Sequence, residues 1–278
     1  MTAFFMMIGV AALYAYCNLN DKRAISEFKL NGNEFTFLMC APIAVFLGLT
    51  LPFQNNVFVL SWQTFLAILL LTVEKLVEFH TCTVILKQIS AFELKAWLGI
   101  TLIISFFGDL LFNSVFNVFR LICLFVMIFG LALIVKSKKR VKINYRALAV
   151  PLFFYIISKF AYGAILKGFA SFISPNLLFV IALAVTALTV LPFLQLKKLF
   201  TEKKKGAFSV IIARIPNTAA SIMENAVVLI SLVNYSFIQP LVLVLLFLID
   251  LIRKEPYSRL NLLGSVICII AFLVFQIV

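Results

Sequence analysis

The chain is constrained above all by a succession of unbroken apolar runs, most of them about 20 residues long. A helix of about 20 residues is long enough to cross the hydrocarbon core of a bilayer. The runs therefore predict an all-α integral membrane protein with about ten transmembrane helices. These helices are placed at Thr2–Leu19, Glu34–Pro52, Phe58–Leu86, Leu94–Phe112, Phe116–Val135, Ala147–Phe169, Pro175–Leu196, Ala207–Leu232, Tyr235–Ile252 and Leu260–Val278.

The composition agrees with this prediction and excludes a soluble fold. Hydrophobic residues make up 64% of the chain, and the mean hydropathy is +1.13. Soluble domains are nearer half apolar, and a domain of this size cannot hide so much apolar surface from water. Only helices and closed barrels cross a bilayer, and barrel strands alternate between apolar and polar residues. The unbroken runs therefore favour helices.

Basic residues are distributed unevenly among the predicted connections. The odd-numbered connections carry 19 of the 24 Lys and Arg residues, a set that includes Lys95, whereas the even-numbered ones carry only Arg120 and Lys167. Basic loops stay in the cytoplasm, so this distribution predicts that the Ser137–Tyr145 loop lies inside and both termini outside. The net charge of +13 is then a topology signal rather than a sign of nucleic-acid binding.

The two halves of the chain show weak internal similarity, which predicts two five-helix repeats at residues 1–142 and 143–278. At an offset of 144, Val84–Leu86 aligns with Val228–Ile230. Because each repeat has an odd number of spans, the two must be inverted in the membrane. Small residues seven positions apart also align in the fifth and tenth helices: Cys123 and Gly130 with Gly264 and Ala271.

The C-terminal segment SFIQPLVLVLLFLIDLIRKEPYSRLNLLGSVICIIAF resembles the last two helices of the drug/metabolite transporter superfamily, EamA type. The first-helix stretch YCNLNDKRAIS is also similar to that family and carries Lys22 at the matching position, but Ala96 stands where the family has a proline. The resemblance at the C-terminal end is carried by a proline, a glutamate and two small residues: Pro240, Glu255, Gly264 and Ala271.

This resemblance implies secondary transport by alternating access to a central cavity that helices from both halves line. Substrates of the superfamily include amino acids, amines, sugars and nucleotide sugars, so the resemblance does not name one. It also implies that both termini lie in the cytoplasm, which is opposite to the orientation that the basic loops predict.

Ionisable residues inside the third helix are the first candidates for a binding site. Such a group costs roughly 2.5–3.5 kcal/mol at the centre of a span, so it persists where it faces a cavity or a partner. Glu74, Glu78 and Thr81 share one helical face. The alternatives are that Glu78 forms a structural i, i+3 pair with Lys75, or that this part of the helix lies near the interface. His80 points away from that face and is interpreted as a packing residue.

The eighth helix carries a polar stripe at helical spacing, and two further polar residues flank it. A continuous polar stripe in a span indicates contact with water along a cavity wall. The alternative is polar packing against a neighbouring helix. The stripe and its flanking residues are Arg214, Thr218, Ser221 and Asn225, with Asn217 and Glu224.

The sixth helix offers Tyr155, Lys159 and Tyr162 on one face, with Lys159 near the middle of the span. These tyrosines could supply cation–π contacts in a cavity, or could mark the membrane interface. The equivalent of Lys159 in the first repeat is Tyr14, which shares its face with Asn18. Two acids near helix ends, Asp109 and Asp250, are expected to be solvated. The predicted solute-binding residues are Tyr14, Asn18, Glu74, Glu78, Thr81, Tyr155, Lys159, Tyr162, Arg214, Thr218, Ser221, Glu224 and Asn225.

The sequence thus predicts a secondary transporter in the cytoplasmic membrane that moves a small polar metabolite or amine, amino-acid-like, zwitterionic or cationic, with proton coupling as an option. Expected partners are membrane lipids and the solute, with the chain acting as a monomer or a homodimer. The alternatives are a membrane-embedded lipid-handling enzyme and a non-transporting assembly subunit. The chain contains no HExxH or GxSxG motif and no cysteine–histidine cluster, so no catalytic or metal-binding residue and no cofactor is predicted.

Overall fold

The computed structural model describes residues 2–112, 115–136, 145–254 and 258–278. The described residues do not include 137–144 of the predicted Ser137–Tyr145 loop. They also do not include Glu255, one of the residues that carry the resemblance to the EamA type. Within the described ranges the chain forms α-helices and two short 3-10 turns, with no β-strand. The prediction of an all-α protein is therefore confirmed.

Twelve α-helices follow one another in the described parts of the chain. The predicted fourth span, Leu94–Phe112, is divided into two helices by a turn at Leu98 and Gly99. A short helix that the sequence did not predict precedes the eighth span. The helices are α1 Thr2–Ser26, α2 Gly32–Gly48, α3 Trp62–Leu86, α4 Ala91–Trp97, α5 Ile100–Leu111, α6 Val118–Lys136, α7 Tyr145–Gly168, α8 Pro175–Val190, α9 Leu196–Thr201, α10 Lys204–Ile230, α11 Leu232–Ile252 and α12 Arg259–Ile277.

Seven helical stretches are long and apolar enough to cross a membrane, which makes the chain a multi-pass membrane protein. Two further apolar helices, α2 and the Val118–Ile134 part of α6, are shorter. Helix α3 has 25 residues, but three charged residues near its middle reduce its hydropathy. The seven stretches are Ala3–Asp21, Glu93–Leu111, Arg146–Gly168, Pro175–Phe193, Lys204–Ile230, Leu232–Ile252 and Arg259–Ile277.

The outer surface of the helices is apolar, as expected for a surface that faces lipid. Large side chains such as Phe65, Phe119, Phe129 and Phe153 are more than half exposed. An exposed apolar surface of this extent would be a liability in water, whereas the acyl chains of a bilayer solvate it.

Helices from the first part of the chain pack against helices from the second part throughout. Helix α1 packs on α10, α2 on α8, α3 on α7, α5 on α11, and α6 on α12. The backbones of α6 and α12 approach closely at two glycines, because a Cβ atom added at Gly130 would lie 2.9 Å from the Gly264 carbonyl oxygen. Small residues permit this kind of close contact between membrane helices. The two parts therefore form one bundle with a shared interior.

The two ends of the bundle are connected differently. At one end, which we call the bridged end, the segment between α2 and α3 pairs with the segment between α7 and α8. Val59 N donates to Phe172 O over 2.8 Å, and Ser174 N donates to Val57 O over 2.9 Å. The opposite end, which we call the basic end, contains the turns that follow α1, α3 and α8. There Lys203 Nζ donates to Glu34 Oε2 over 2.6 Å.

Candidate functional site

A cavity of ≈ 100 Å³ lies inside the bundle, between helices from both parts of the chain. It extends toward the basic end, where its lining includes Asp21 near the end of α1, Phe35 near the start of α2, Leu86 at the end of α3 and Lys95 in α4. Eight of the thirteen predicted solute-binding residues line this cavity: Tyr14, Asn18, Glu78, Tyr155, Lys159, Tyr162, Ser221 and Glu224.

Glu78 is held by cations from two helices. Its Oε2 accepts from Lys75 Nζ over 2.6 Å on the same helix, which is the i, i+3 pair considered as an alternative. Its Oε1 lies 2.5 Å from Lys159 Nζ on α7. Because all three side chains are largely buried, removal of one partner would leave an uncompensated charge. Glu78 therefore joins α3 to α7 and also borders the cavity.

Lys75 is a central residue that the sequence suggested only as a structural partner. Its ammonium lies 3.9 Å from the centroid of the Tyr162 ring, 5.5 Å from that of Phe179 and 5.8 Å from that of Phe79. A desolvated cation over an aromatic ring gains about 2 kcal/mol. The cavity wall therefore includes an aromatic cage that is already occupied by a lysine of the chain.

Glu74 does not line the cavity, although it shares a helical face with Glu78. Its carboxylate lies 3.2 Å from Lys75 Nζ, yet neither oxygen has a hydrogen bond of acceptable geometry in the described structure. The side chain is buried one turn closer to the bridged end. Glu74 thus does not line the cavity in this conformation, and its role in solute binding stays a prediction.

Two other charges that line the cavity have no partner of opposite sign among the described residues. Lys95 Nζ donates to Gln239 Oε1 over 2.6 Å, and Glu224 Oε2 accepts from the Tyr14 hydroxyl. No described carboxylate lies within 4.0 Å of the Lys95 ammonium, and no described cation lies that close to the Glu224 carboxylate. The sequence analysis counted Lys95 with the basic residues of the third connection, at the start of the predicted fourth span, but the structure buries it in α4.

The polar stripe of α10 is not one continuous cavity wall. Ser221 and the flanking Glu224 and Asn217 line the cavity, whereas Arg214 and Thr218 do not. Arg214 is fully buried and donates to the Asp21 carboxylate on α1, while Thr218 Oγ1 donates to the Arg214 carbonyl oxygen over 2.8 Å. The Arg214 contact with α1 matches the alternative of polar packing between helices, whereas the Thr218 hydroxyl bonds within α10.

Asn225 does not line the cavity and lies on α10 closer to the bridged end than the lining residues Ser221 and Glu224. It accepts from the Tyr162 hydroxyl, and its Nδ2 donates to Asn176 Oδ1 over 2.8 Å. Asn176 in turn donates to Gln54 Oε1 over 2.7 Å. Asn225 was predicted to line the cavity, but its polar groups are occupied by this chain of neutral hydrogen bonds.

Thr81 also lies outside the central cavity. It borders a groove on the outer side of the bundle together with His80 and Phe154, and its hydroxyl donates to the Val77 carbonyl oxygen over 2.6 Å. Thr81 therefore does not share a cavity wall with Glu78 in this structure, and its role in solute binding stays a prediction. Three positions along a helix correspond to about 300° of rotation, so Thr81 points about 60° away from the direction of Glu78. This angle is enough to place Thr81 past the edge of the cavity.

Asp109 is buried rather than solvated. Its carboxylate accepts from Lys167 Nζ over 2.8 Å and from Ser231 Oγ over 2.6 Å. It also accepts from the backbone N–H groups of Leu232 and Val233, at 2.9 and 3.0 Å, at the start of α11. An acid at a helix N-terminus satisfies free backbone donors and interacts favourably with the helix dipole. Asp109 therefore joins α5, α7 and α11 at the bridged end.

The remaining lining residues include several that sequence reasoning missed. Most of them are apolar or neutral side chains, which carry no signal that separates them from ordinary core residues. The described residues contain no group of three or more His, Cys, Asp and Glu side chains that could hold a metal ion. The missed lining residues are Cys17, Phe35, Met39, Ile43, Phe79, Cys82, Leu86, Lys95, Phe179 and Gln239.

No protein-family model matches the sequence, and a search of curated proteins returns no match. The EamA-type resemblance therefore stays a prediction. The function has to be argued from the cavity and from the charges that line it.

Proposed function

We propose that this chain is a secondary transporter of the cytoplasmic membrane that moves a small polar metabolite or amine by alternating access. The observation that carries the proposal is the cavity, where buried charges of both signs from helices of both chain parts meet. Charged groups inside a span are costly, and in membrane proteins they mark solute or ion pathways. An assembly subunit without a transport pathway would have no use for such an arrangement.

We further propose that the chain contains ten spans in two inverted repeats, with α4 and α5 counted as one span. The positions at which helices begin recur in the two parts, since α1 and α7 begin at residues 2 and 145, and α6 and α12 at residues 118 and 259. The packing supports the same symmetry. If the repeats are exchanged, the pair of α1 and α10 becomes the pair of α7 and α3, and both pairs are in contact.

Two local features add support for the repeats. The sequence Leu-Pro-Phe forms a 3-10 turn after α2, at Leu51–Phe53, and again after α8, at Leu191–Phe193. Lys95 and Gln239 hydrogen-bond each other, and they are 144 residues apart, which is the offset of the sequence alignment. Equivalent residues meet in this way when they lie close to a two-fold axis. We take this layout as support for a transporter of EamA type.

The test is solute uptake by the purified full-length protein in proteoliposomes, together with its thermal stability in the presence of candidate solutes. The panel contains amino acids, amines, polyamines, sugars and nucleotide sugars. A solute that binds only the folded state raises Tm by mass action, so we expect at least one class to raise Tm and to be taken up. The control for the Glu74→Gln variant used below is Glu202→Gln, which alters an exposed carboxylate at the basic end.

Absence of both uptake and stabilisation across the panel would contradict the proposed function. Modification of a lipid by the purified protein would favour the alternative of a membrane-embedded lipid-handling enzyme. An imposed proton gradient tests coupling. If uptake is driven by the gradient in the wild type and not in Glu74→Gln, the buried Glu74 carboxylate is the proton carrier.

A further inference from the structure

The buried charges of the described residues can be sorted by whether they have a partner. Most carboxylates that are at least nine-tenths buried lie within 4.0 Å of a cation. The matched groups satisfy one another and leave little for a ligand to gain. These pairs are Glu78 with Lys75 and Lys159, Glu74 with Lys75, Asp21 with Arg214, Asp109 with Lys167, and Glu34 with Lys203.

Lys95 is a buried positive charge that has no counter-ion among the described residues. Its side chain is buried in α4, lines the cavity near the basic end and has Gln239 as its only hydrogen-bond partner among the described residues. An ammonium group has three N–H donors, so two are available to a ligand. A buried ammonium without a counter-ion is costly, and an anionic group bound in the cavity would remove that cost.

Glu224 is the negative charge that the sorting leaves over. It lines the same cavity from α10, about two helical turns closer to the bridged end than Asn217. One oxygen accepts from the Tyr14 hydroxyl. The other oxygen accepts no hydrogen bond from a described residue. It is also not one of the fully buried oxygen atoms that lack a partner. That oxygen is therefore available to a cation in the cavity.

One unmatched cation and one unmatched anion in the same small cavity define the ligand that would satisfy both. We propose that the cavity binds a small zwitterion, with its carboxylate at Lys95 and its ammonium group at Glu224. A ligand with only a positive charge would leave Lys95 without a counter-ion. A ligand with only a negative charge would leave Glu224 without a counter-ion. This inference rests on the proposed transport function and names its substrate class.

The size of the cavity narrows the class further. A volume of ≈ 100 Å³ is well below the roughly 300 Å³ at which sites for drug-sized ligands begin. The zwitterion is therefore a small amino acid with a free ammonium and a free carboxylate group. Sugars and nucleotide sugars fit neither the volume nor the two charges.

The first test compares ligands that differ only in charge. The full-length purified protein is incubated with glycine, alanine, serine and β-alanine, with the amide of each, which is a cation, and with the N-acetyl derivative of each, which is an anion. We expect Tm to rise with at least one free amino acid and to change far less with its amide and its N-acetyl derivative. Equal stabilisation by an amino acid and its amide would overturn the proposal.

The second test removes each unmatched charge. Lys95→Gln should raise the Kd of the preferred amino acid at least about tenfold and should bring it close to the Kd of the amide, because the carboxylate loses its partner. Glu224→Gln should likewise raise the Kd of the preferred amino acid and bring it close to the Kd of the N-acetyl derivative, because the ammonium group loses its partner. The controls are Lys198→Gln and Glu202→Gln, which alter an exposed ion pair on the basic end.

Folding of the variants is not expected to limit this test. Each substitution removes a charge that has no counter-ion, so the ligand-free variants should melt at or above the Tm of the wild type. A merely structural role for Lys95 would instead lower Tm and leave the preference for the amino acid over its amide unchanged. That result would also overturn the proposal.

The outcomes also separate this inference from the proposed function. If the wild type takes up an amine or a sugar but binds no zwitterion, the transport function stands and the zwitterion site is wrong. If no solute of the wider panel binds or is taken up, both proposals fail.

Discussion

The two ends of the bundle are closed by different kinds of contact. The bridged end is held by backbone hydrogen bonds between residues 57–59 and 172–174, and by a neutral pair between Gln54 and Asn176. On the rim of the basic end, Lys203 donates to Glu34 and to the Lys29 carbonyl oxygen. The backbone pairing fixes two segments at several points, whereas a lysine side chain can exchange its partners for water. The cavity extends toward the end whose rim has the weaker closure.

This difference indicates which end opens first. Between the cavity and the bridged end lies a chain of neutral hydrogen bonds that runs from Tyr162 through Asn225 and Asn176 to Gln54. On the side that faces the rim of the basic end, the cavity lining includes charged groups, among them Asp21 and Lys95. Charged groups are readily hydrated, so water entry is favoured from the basic end. We expect a solute to exchange there in this conformation.

The largest effect is expected at the basic end, for the buried ion pair between Asp21 and Arg214. Arg214→Leu would leave the buried Asp21 carboxylate without its cation, which costs about 3–5 kcal/mol when a partner of a buried pair is removed. Thermal or denaturant unfolding should report this loss. The double variant Asp21→Asn with Arg214→Leu should recover most of it, because both charges are then absent. An unchanged Tm in the single variant would show that the Arg214 pair does not hold the basic end.

An intermediate effect is expected at the bridged end. Asp109→Asn would weaken four interactions, with Lys167, Ser231 and the first N–H groups of α11. Because Lys167 is partly exposed, its freed charge can reach water, and a loss of about 1.5–3 kcal/mol is expected. Glu202→Gln, which alters an exposed carboxylate at the basic end, is the control. Equal Tm values for both variants would argue against a role of Asp109 in closing the bridged end.

A smaller effect is expected from the neutral chain of hydrogen bonds. Tyr162→Phe removes the hydroxyl that donates to Asn225, which costs about 0.5–1.5 kcal/mol for a neutral hydrogen bond. The ring over Lys75 is kept, so the cation–π contact is unchanged. The loss of stability should therefore be accompanied by faster hydrogen exchange in residues 54–59 of the bridged end. Faster exchange at the basic end alone would contradict this assignment.

The sequence predicts the seven long apolar helices and eight of the 21 residues that line the cavity, for identifiable reasons. A charge within an apolar run, such as Glu78 or Lys159, requires a partner or a cavity, and both residues indeed border the cavity. Periodicity identifies the face of a helix but not its neighbour. Arg214 therefore looked like a cavity residue until its partner Asp21, 193 residues away in the chain, was known.

Other features of the site have no local signal. Lys95 lies at the very start of the predicted fourth span and was counted with the preceding connection, so nothing in the sequence separates it from the basic residues of the rim. The structure shows that it is buried in α4. At the break before α5, Gly99 lets α6 approach closely, because a Cβ atom there would lie 2.5 Å from the Leu131 side chain of α6. Such a contact depends on tertiary packing, which the apolar pattern of a single helix does not encode.

The smallest effect on stability, and the sharpest test of the comparison, is expected at the rim of the basic end. Lys203→Ala removes a partly exposed ion pair, so Tm should fall by an amount equivalent to less than about 1 kcal/mol. Access to the cavity should nevertheless increase. Cys82 lines the cavity, and its alkylation by N-ethylmaleimide, followed by mass spectrometry, measures entry of a small polar reagent. Lys198→Ala, on the same rim, is the control and should leave the rate unchanged. An equal rate in both variants would mean that the Lys203 contact does not close the basic end.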